Sequence, residues 1–177
     1  MSLKIPLPNP DELPEEIRKI VSSSPLNVVK MMANAPESFL GFQKFANGVL
    51  FKNKFDLRKR EIAVCRIGHV TKANYEWTHH VRVAKSAGVS DEEIRIIGSE
   101  NPVRSLDEEG NLLCRVADEI SLNVRLSDEA LAAILERYGV QGATELILCC
   151  SYFNMISRFL ESTRVELEAG VGKENGI

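Results

Sequence analysis

Three ionisable residues stand where apolar side chains would be expected, and their spacing suits proton-transfer chemistry. Glu76 and His80 are four positions apart, so on a helix their side chains meet. They share a stripe with Val83, Ala84 and Ala87. Glu61 lies on a second stripe with Leu57, Val64, Cys65 and Gly68. A carboxylate on such a face is costly unless it is paired or hydrogen-bonded. A histidine beside two carboxylates has its charged form favoured by them and disfavoured by desolvation, a balance that suits a general acid–base. A purely structural arrangement is also open at this point, with His80 satisfied by Glu76 alone and Glu61 bound to an arginine. The neighbour His79 looks toward Tyr75, Arg82 and Ser86, a more polar face, so His80 is the inward histidine and His79 a partner or bystander.

Other chemistries find less support. The four cysteines, Cys65, Cys114, Cys149 and Cys150, form no C-x-x-C and no zinc-ligand spacing. They read as small buried hydrophobes in a reducing compartment. The Glu-x-x-x-His pair lacks the second histidine of a zincin motif, and no metal or cofactor is expected. A formal net charge of −3 gives no basic field for nucleic acid or an anionic membrane. No apolar run is long enough to span a bilayer, and the first ten residues carry prolines and charges rather than an apolar signal core. A cytoplasmic protein acting on a small molecule is the expectation.

The elements that must position these residues read as helices throughout, and the fold class expected is all-α. The 177 residues suit one domain with a single core. An extended, proline-rich arm (1–14) leads into a short helix from Glu15, ended by Pro25, and a second that stops before Pro36. Pro36 opens a third, with Phe39, Phe42, Phe45 and Val49 at helical spacing as core or subunit interface. Asp56 caps a fourth helix, Leu57 to about Thr71, whose run Ile62 to Gly68 is apolar on most sides and so belongs inside the protein. Gly68 would let another chain segment approach closely. A fifth helix spans Tyr75 to Ala87. Ser90 and Glu93 form a capping box for a sixth. A seventh runs from Asp107 to about Ser121. Ser127 caps an eighth that Gly139 ends, and a last long helix runs from about Gly142 to Glu168. Residues 170–177 read as a frayed tail.

With these residues in place, the sequence resembles the carboxymuconolactone decarboxylase family, which includes the alkylhydroperoxidase D-like proteins. The resemblance is carried by Arg60-Glu61-Ile62-Ala63-Val64, by Ala73-Asn74-Tyr75-Glu76-Trp77-Thr78-His79-His80, and by Ala84 to Ile94. It covers roughly residues 36–98, with a weaker likeness at Tyr152-Phe153-Asn154 and Arg158. It implies an alkylhydroperoxidase D-like helical bundle of about eight or nine helices, assembled as a homo-oligomer (trimer, hexamer or dimer), with the active site between the two helices that carry Glu61 and His80. In the peroxidase branch a glutamate precedes a C-x-x-C and then a histidine. Glu61 and His80 match the outer positions, while Ala73 and Glu76 stand where the two cysteines would be. Thiol peroxidase chemistry needs an attacking thiolate and a resolving partner, which leaves Cys65 or a partner protein's thiol as the redox alternative.

The decarboxylase branch lacks the cysteine pair and keeps the histidine. Likeness to it implies His80, Glu61 and Glu76 as catalytic residues, His80 delivering the proton after carbon dioxide leaves. Tyr75, Trp77, His79 and Cys65 are the candidates for contact with substrate. Arg66, Arg82 and Arg158 are candidates for binding a substrate carboxylate. The two glutamates would repel an acidic substrate, which makes a neutral lactone, an enone or a peroxide-like compound an alternative. A non-catalytic oligomeric protein with a structural Glu–His pair is the third reading, and it predicts a closed pocket around His80.

Overall fold

The computed structural model describes residues 3–172. Among them the chain forms α-helices and short helical turns and no strand. The helices are α1 (Glu15–Ser23), α2 (Asn27–Met32), α3 (Pro36–Asn47), α4 (Leu57–Val70), α5 (Asn74–Ser86), α6 (Asp91–Ser99), α7 (Glu108–Asn123) and α8 (Asp128–Thr163). A 3-10 turn occupies Pro10–Glu12, and a π-helical turn, Gly48–Lys52, prolongs α3.

The centre of the molecule is α4. It starts where Asp56 accepts a hydrogen bond from the Lys59 N–H. Every residue from Glu61 to Gly68 is buried. A helix apolar on most sides must be surrounded to hide all its faces, and α5, α6, α7 and α8 pack around this one. The crossing of α4 and α5 is close. A Cβ on Gly68 would stand 3.0 Å from the Trp77 backbone nitrogen, and one on Gly98 2.9 Å from the end of the Trp77 indole. Glycine at both positions lets the two helices meet with Trp77 between them and α6.

Caps set the other boundaries. Ser90 and Glu93 complete their reciprocal capping box, and Asp107 and Ser127 accept from the third backbone N–H that follows each of them. The aromatic stripe of α3 divides its work. Phe39 packs with Ile17, Val21 and Ala33 in a small core under α1, while Val49 joins the main core. Phe45 keeps 43% of its surface exposed.

The expected break at Gly139 is present: its φ of 65° and ψ of −179° are non-helical and divide α8 into two helices that meet at a kink without a loop. One expectation about the C-terminal third needs correction. The long helix ends at Thr163 rather than near Glu168. Arg164 is left-handed at φ 58°, and the Val165 N–H reaches back to the Leu160 carbonyl, closing the helix end. Val165 and Leu167 then fold against the core, which carries Glu168 back to α5. The proposed tail is described only as far as residue 172, where residues 169–172 form turns; positions 173–177 lie outside the described residues. No helix among the described residues is long and apolar enough to cross a membrane.

Candidate active site

Helices α4 and α5 bring Glu61, Glu76 and His80 together at the wall of a cavity of about 380 Å³. Glu61, on the all-buried helix, is fully enclosed. Its Oε2 lies 2.7 Å from His80 Nδ1, and its Oε1 accepts from Arg60 Nε at 3.1 Å. Arg60 is further anchored by donating to the Leu50 carbonyl at 2.7 Å. The other ring nitrogen of His80, Nε2, stands 3.3 Å from Glu76 Oε2. The contact is an ion pair whose angle does not make a hydrogen bond, so Glu76 Oε2 is buried with no hydrogen-bond partner. The edge of Phe153 packs against the His80 ring at 4.7 Å between centroids, fixing its plane.

The purely structural pairing is therefore present only in part. Glu61 is bound to an arginine, but it also holds the histidine, which is not satisfied by Glu76 alone. This arrangement assigns the ring's two nitrogens different tasks. With Nδ1 held by Glu61, Nε2 is the nitrogen able to exchange a proton. Burial opposes a charge on His80 more than any other single influence. The hydrogen bond that His80 donates to Glu61 and the charges of Glu76 and Glu61 together outweigh it, against a smaller push from Arg60, and hold the imidazole above its ordinary 6.5. Burial is also the main reason the Glu76 carboxyl rises above its ordinary 4.5, with His80 working against the rise and Glu61 adding to it. Both shifts favour the protonated forms of Glu76 and His80. With one proton between those two, Arg60, Glu61, His80 and Glu76 sum to zero charge.

The rest of the wall is largely apolar. Phe42 from α3 stacks on Tyr152 from α8 with 13° between ring planes. Leu26, Val28, Val29 and Met32, at and on α2, cover another side, and Phe51, 78% exposed, marks the mouth. The His80 side chain keeps 17% of its surface accessible.

A second carboxylate–histidine set borders the same cavity. Glu168 receives the Asn27 N–H at 2.6 Å, the Tyr75 hydroxyl, and His79 Nε2 at 2.8 Å. The Val28 N–H in turn donates to the Tyr75 oxygen at 3.3 Å. Burial tends to raise the Glu168 carboxyl, but these donors overcome it and hold it below the ordinary range. The network ties the segment after α8 to the start of α2 and to α5. His79 and Tyr75 therefore line the cavity while engaged in holding its cover.

The remaining candidates fall elsewhere. Trp77 does not line the cavity; its ring points to the far side of α5, near His69. Cys65 is fully buried and does not line it either. Burial, with the charges of Glu61, Cys114 and Glu76, pushes its thiol well up. Cys65 shares Glu61's stripe on α4, as helical spacing requires, but that stripe continues into the core rather than along the cavity. Arg66 is fully buried by design of the fold: it grips Asp118 at 2.6 and 2.9 Å and the Ile97 and Glu100 carbonyls. Arg158 donates to Asn154 and to the Ser121 carbonyl. Neither these two nor Arg82 lines the cavity, where Arg60 is the cation. Arg60 had a signal, its place beside Glu61. Glu168 had none, because contacts across 89 or more positions leave no local pattern; Gln43, which borders the cavity, was not singled out either.

Comparison with known proteins bears on family and fold. Residues 36–101 match the carboxymuconolactone decarboxylase family, a span that holds Glu61, Glu76 and His80. No curated protein matches the sequence. Among solved structures, the chain is similar to an alkylhydroperoxidase AhpD core, an uncharacterized peroxidase-related protein from Ralstonia eutropha JMP134, with a TM-score of 0.78, 14% identity, and coverage of 94% of this chain and 92% of that one. It is also similar to an uncharacterized peroxidase-related protein from Silicibacter sp. TM1040, with a TM-score of 0.75, 17% identity, and coverage of 96% and 92%. At such identities the likeness is one of fold. Residues 36–101 thus match the carboxymuconolactone decarboxylase family model, within a chain that has the alkylhydroperoxidase D-like all-α fold.

Proposed function

We propose that the protein is an enzyme that performs cofactor-independent acid–base chemistry, decarboxylation or proton transfer, on a small lactone or carboxylated organic compound. One observation carries the reading: His80 is fixed through Nδ1 by a buried carboxylate and presents Nε2 beside a second carboxylate, whose Oε2 makes no hydrogen bond, at a cavity wall. Glu61 sets the tautomer and Arg60 steadies Glu61. His80 and Glu76 hold the mobile proton. In a decarboxylation the bond to the carboxylate carbon breaks, its electron pair enters the unsaturated ring, and His80 or Glu76 returns a proton to carbon. In a proton transfer the same pair removes a proton from one atom and delivers it to another. Neither sequence needs an oxidant.

Peroxidase chemistry is the other reading, favoured by the peroxidase-related names of the structural neighbours. Here it would depend on Cys65, whose buried thiol is held protonated, or on a thiol from another protein. A purely structural role for the Glu–His pair accounts for the ion pairs but not for a cavity that reaches His80. The test is turnover of lactones and unsaturated carboxylic acids in deuterated water, read by deuterium incorporation and carbon dioxide release. The wild type should turn over a substrate at least a hundredfold faster than His80→Ala, about the least that general acid–base catalysis contributes. Equal rates on a confirmed substrate would exclude the proposal. Peroxide consumption that is lost in Cys65→Ser would favour the redox reading.

A further inference from the structure

Two buried polar atoms on residues lining the cavity make no hydrogen bond. One is Glu76 Oε2, which has only its ion pair with His80 Nε2 at 3.3 Å. The other is Gln43 Nε2, on α3, an amide nitrogen closed off from water and without an acceptor. Glu76 itself is only 5% exposed. Buried donors and acceptors are almost always satisfied by protein or by something bound. The Gln43 amide is the donor of the two, and an acceptor atom on a ligand would complete it. From it we infer that Gln43 is a substrate-binding residue, and that the cavity takes an uncharged carbonyl compound, such as a lactone, ester or ketone, whose carbonyl oxygen accepts from the Gln43 amide.

Charge selects the uncharged class. Arg60, Glu61, Glu76 and His80 already balance. Arg60 is the sole lysine or arginine among the residues lining the cavity, and it is spent on Glu61 and the Leu50 carbonyl. A substrate carboxylate would enter beside two glutamates with no cation left to meet it. An amide N–H suits a neutral acceptor, and the surrounding Phe42, Val29 and Met32 suit an apolar body. The inference rests on the acid–base reading of this site and narrows its substrate. It also gives Gln43 a place in the chemistry. When a proton leaves carbon next to a carbonyl, the electron pair collects on the carbonyl oxygen, where an N–H donor stabilises it. The proton passes to the Glu76–His80 pair and returns to a second carbon, so no co-reactant is consumed.

Coumarin, an uncharged unsaturated lactone, and coumarin-3-carboxylate form a matched pair of probes. Their binding to the full chain is measured by calorimetry, and the carbonyl stretch of bound coumarin by infrared difference spectroscopy. Coumarin is expected to bind the wild type more tightly than its carboxylate. Gln43→Leu and Gln43→Met should each weaken coumarin by about tenfold, the loss of one hydrogen bond, and return the carbonyl stretch toward its unbonded frequency. Neither variant should melt below the wild type without ligand, since the amide nitrogen has no partner to lose; a structural glutamine would behave oppositely. The inference is overturned by tighter binding of the carboxylate, by no saturable binding of coumarin to the wild type, by unchanged affinity in both variants, or by a lowered melting temperature in both. The readout is binding, so it stands apart from turnover. If His80→Ala turns over substrate normally while Gln43 still governs coumarin binding, the acid–base reading fails and the ligand class remains.

Discussion

His79 and His80 follow one another on α5, and each gives a ring nitrogen to a glutamate, at 2.8 Å from Glu168 and 2.7 Å from Glu61. What surrounds the two carboxylates differs. Glu168 collects a backbone N–H, a hydroxyl and an imidazole, and all three partners draw the segment after α8 and the start of α2 onto α5. Its pairing is saturated, and it acts as a fastening. The Glu61 set includes one carboxylate oxygen, on Glu76, that makes no hydrogen bond. A saturated polar network gives a fold rigidity, whereas a buried group left unsatisfied costs stability and persists where something else uses it. The contrast separates two histidines that a sequence alone presents side by side.

Exchanging one histidine at a time probes that contrast most sharply. On a confirmed substrate, His80→Gln should lower kcat by about 10²–10⁴-fold, while His79→Gln should cost about tenfold at most, through a loosened cover. Glu61→Ala comes next. It leaves Arg60 and His80, 11% and 17% exposed, without their shared partner. Chemical denaturation should show a loss of about 3 kcal/mol. Glu168→Ala should cost less, about 1–2 kcal/mol, and its mark should be local: faster amide exchange in α2 and in residues 164–172, with exchange in α4 unaffected.

Glu76→Gln should have the smallest effect on stability and the opposite sign. His80 is held above 6.5 in the folded protein and Glu76 above 4.5. Both are raised, so each contributes stability that is complete below its ordinary value and lost as pH rises through its folded value. Wild-type stability should therefore decline from acid pH through and beyond 6.5. On the alkaline side, where His80 is neutral, Glu76→Gln removes a buried unpartnered charge and should stabilise the protein by about 1 kcal/mol. A variant that is less stable there would show that Glu76 has a partner after all.

Much of this arrangement is readable from local pattern. Asp56, Ser90, Asp107 and Ser127 mark helix starts because capping is a contact between close neighbours in sequence. The burial of α4 follows from its apolar run. The meeting of Glu76 and His80 follows from a four-residue spacing. Gly68 signals a close approach, although only the fold shows that the Trp77 backbone makes it. That same contact explains why Trp77, next to Glu76 in sequence, lies away from the cavity. Helix spacing sorts residues by face, but it does not say which buried face meets a hollow and which meets solid core. Cys65 illustrates the second case. Glu168 illustrates another: its tie to His79 depends on Arg164 turning left-handed and ending α8 early, and no glycine or asparagine stands there to announce it.

Glu61 holds Nδ1 of His80, and the Glu76 carboxylate beside Nε2 favours the ring's protonated form. Nitrogen-15 NMR of the histidine side chains, followed through pH in the wild type and in Glu76→Gln, reads both effects. His80 is expected to titrate above 6.5, its neutral form to carry the proton on Nδ1, and its midpoint to fall when Glu76 becomes glutamine. A midpoint at or below 6.5 that does not respond to Glu76→Gln would contradict this arrangement.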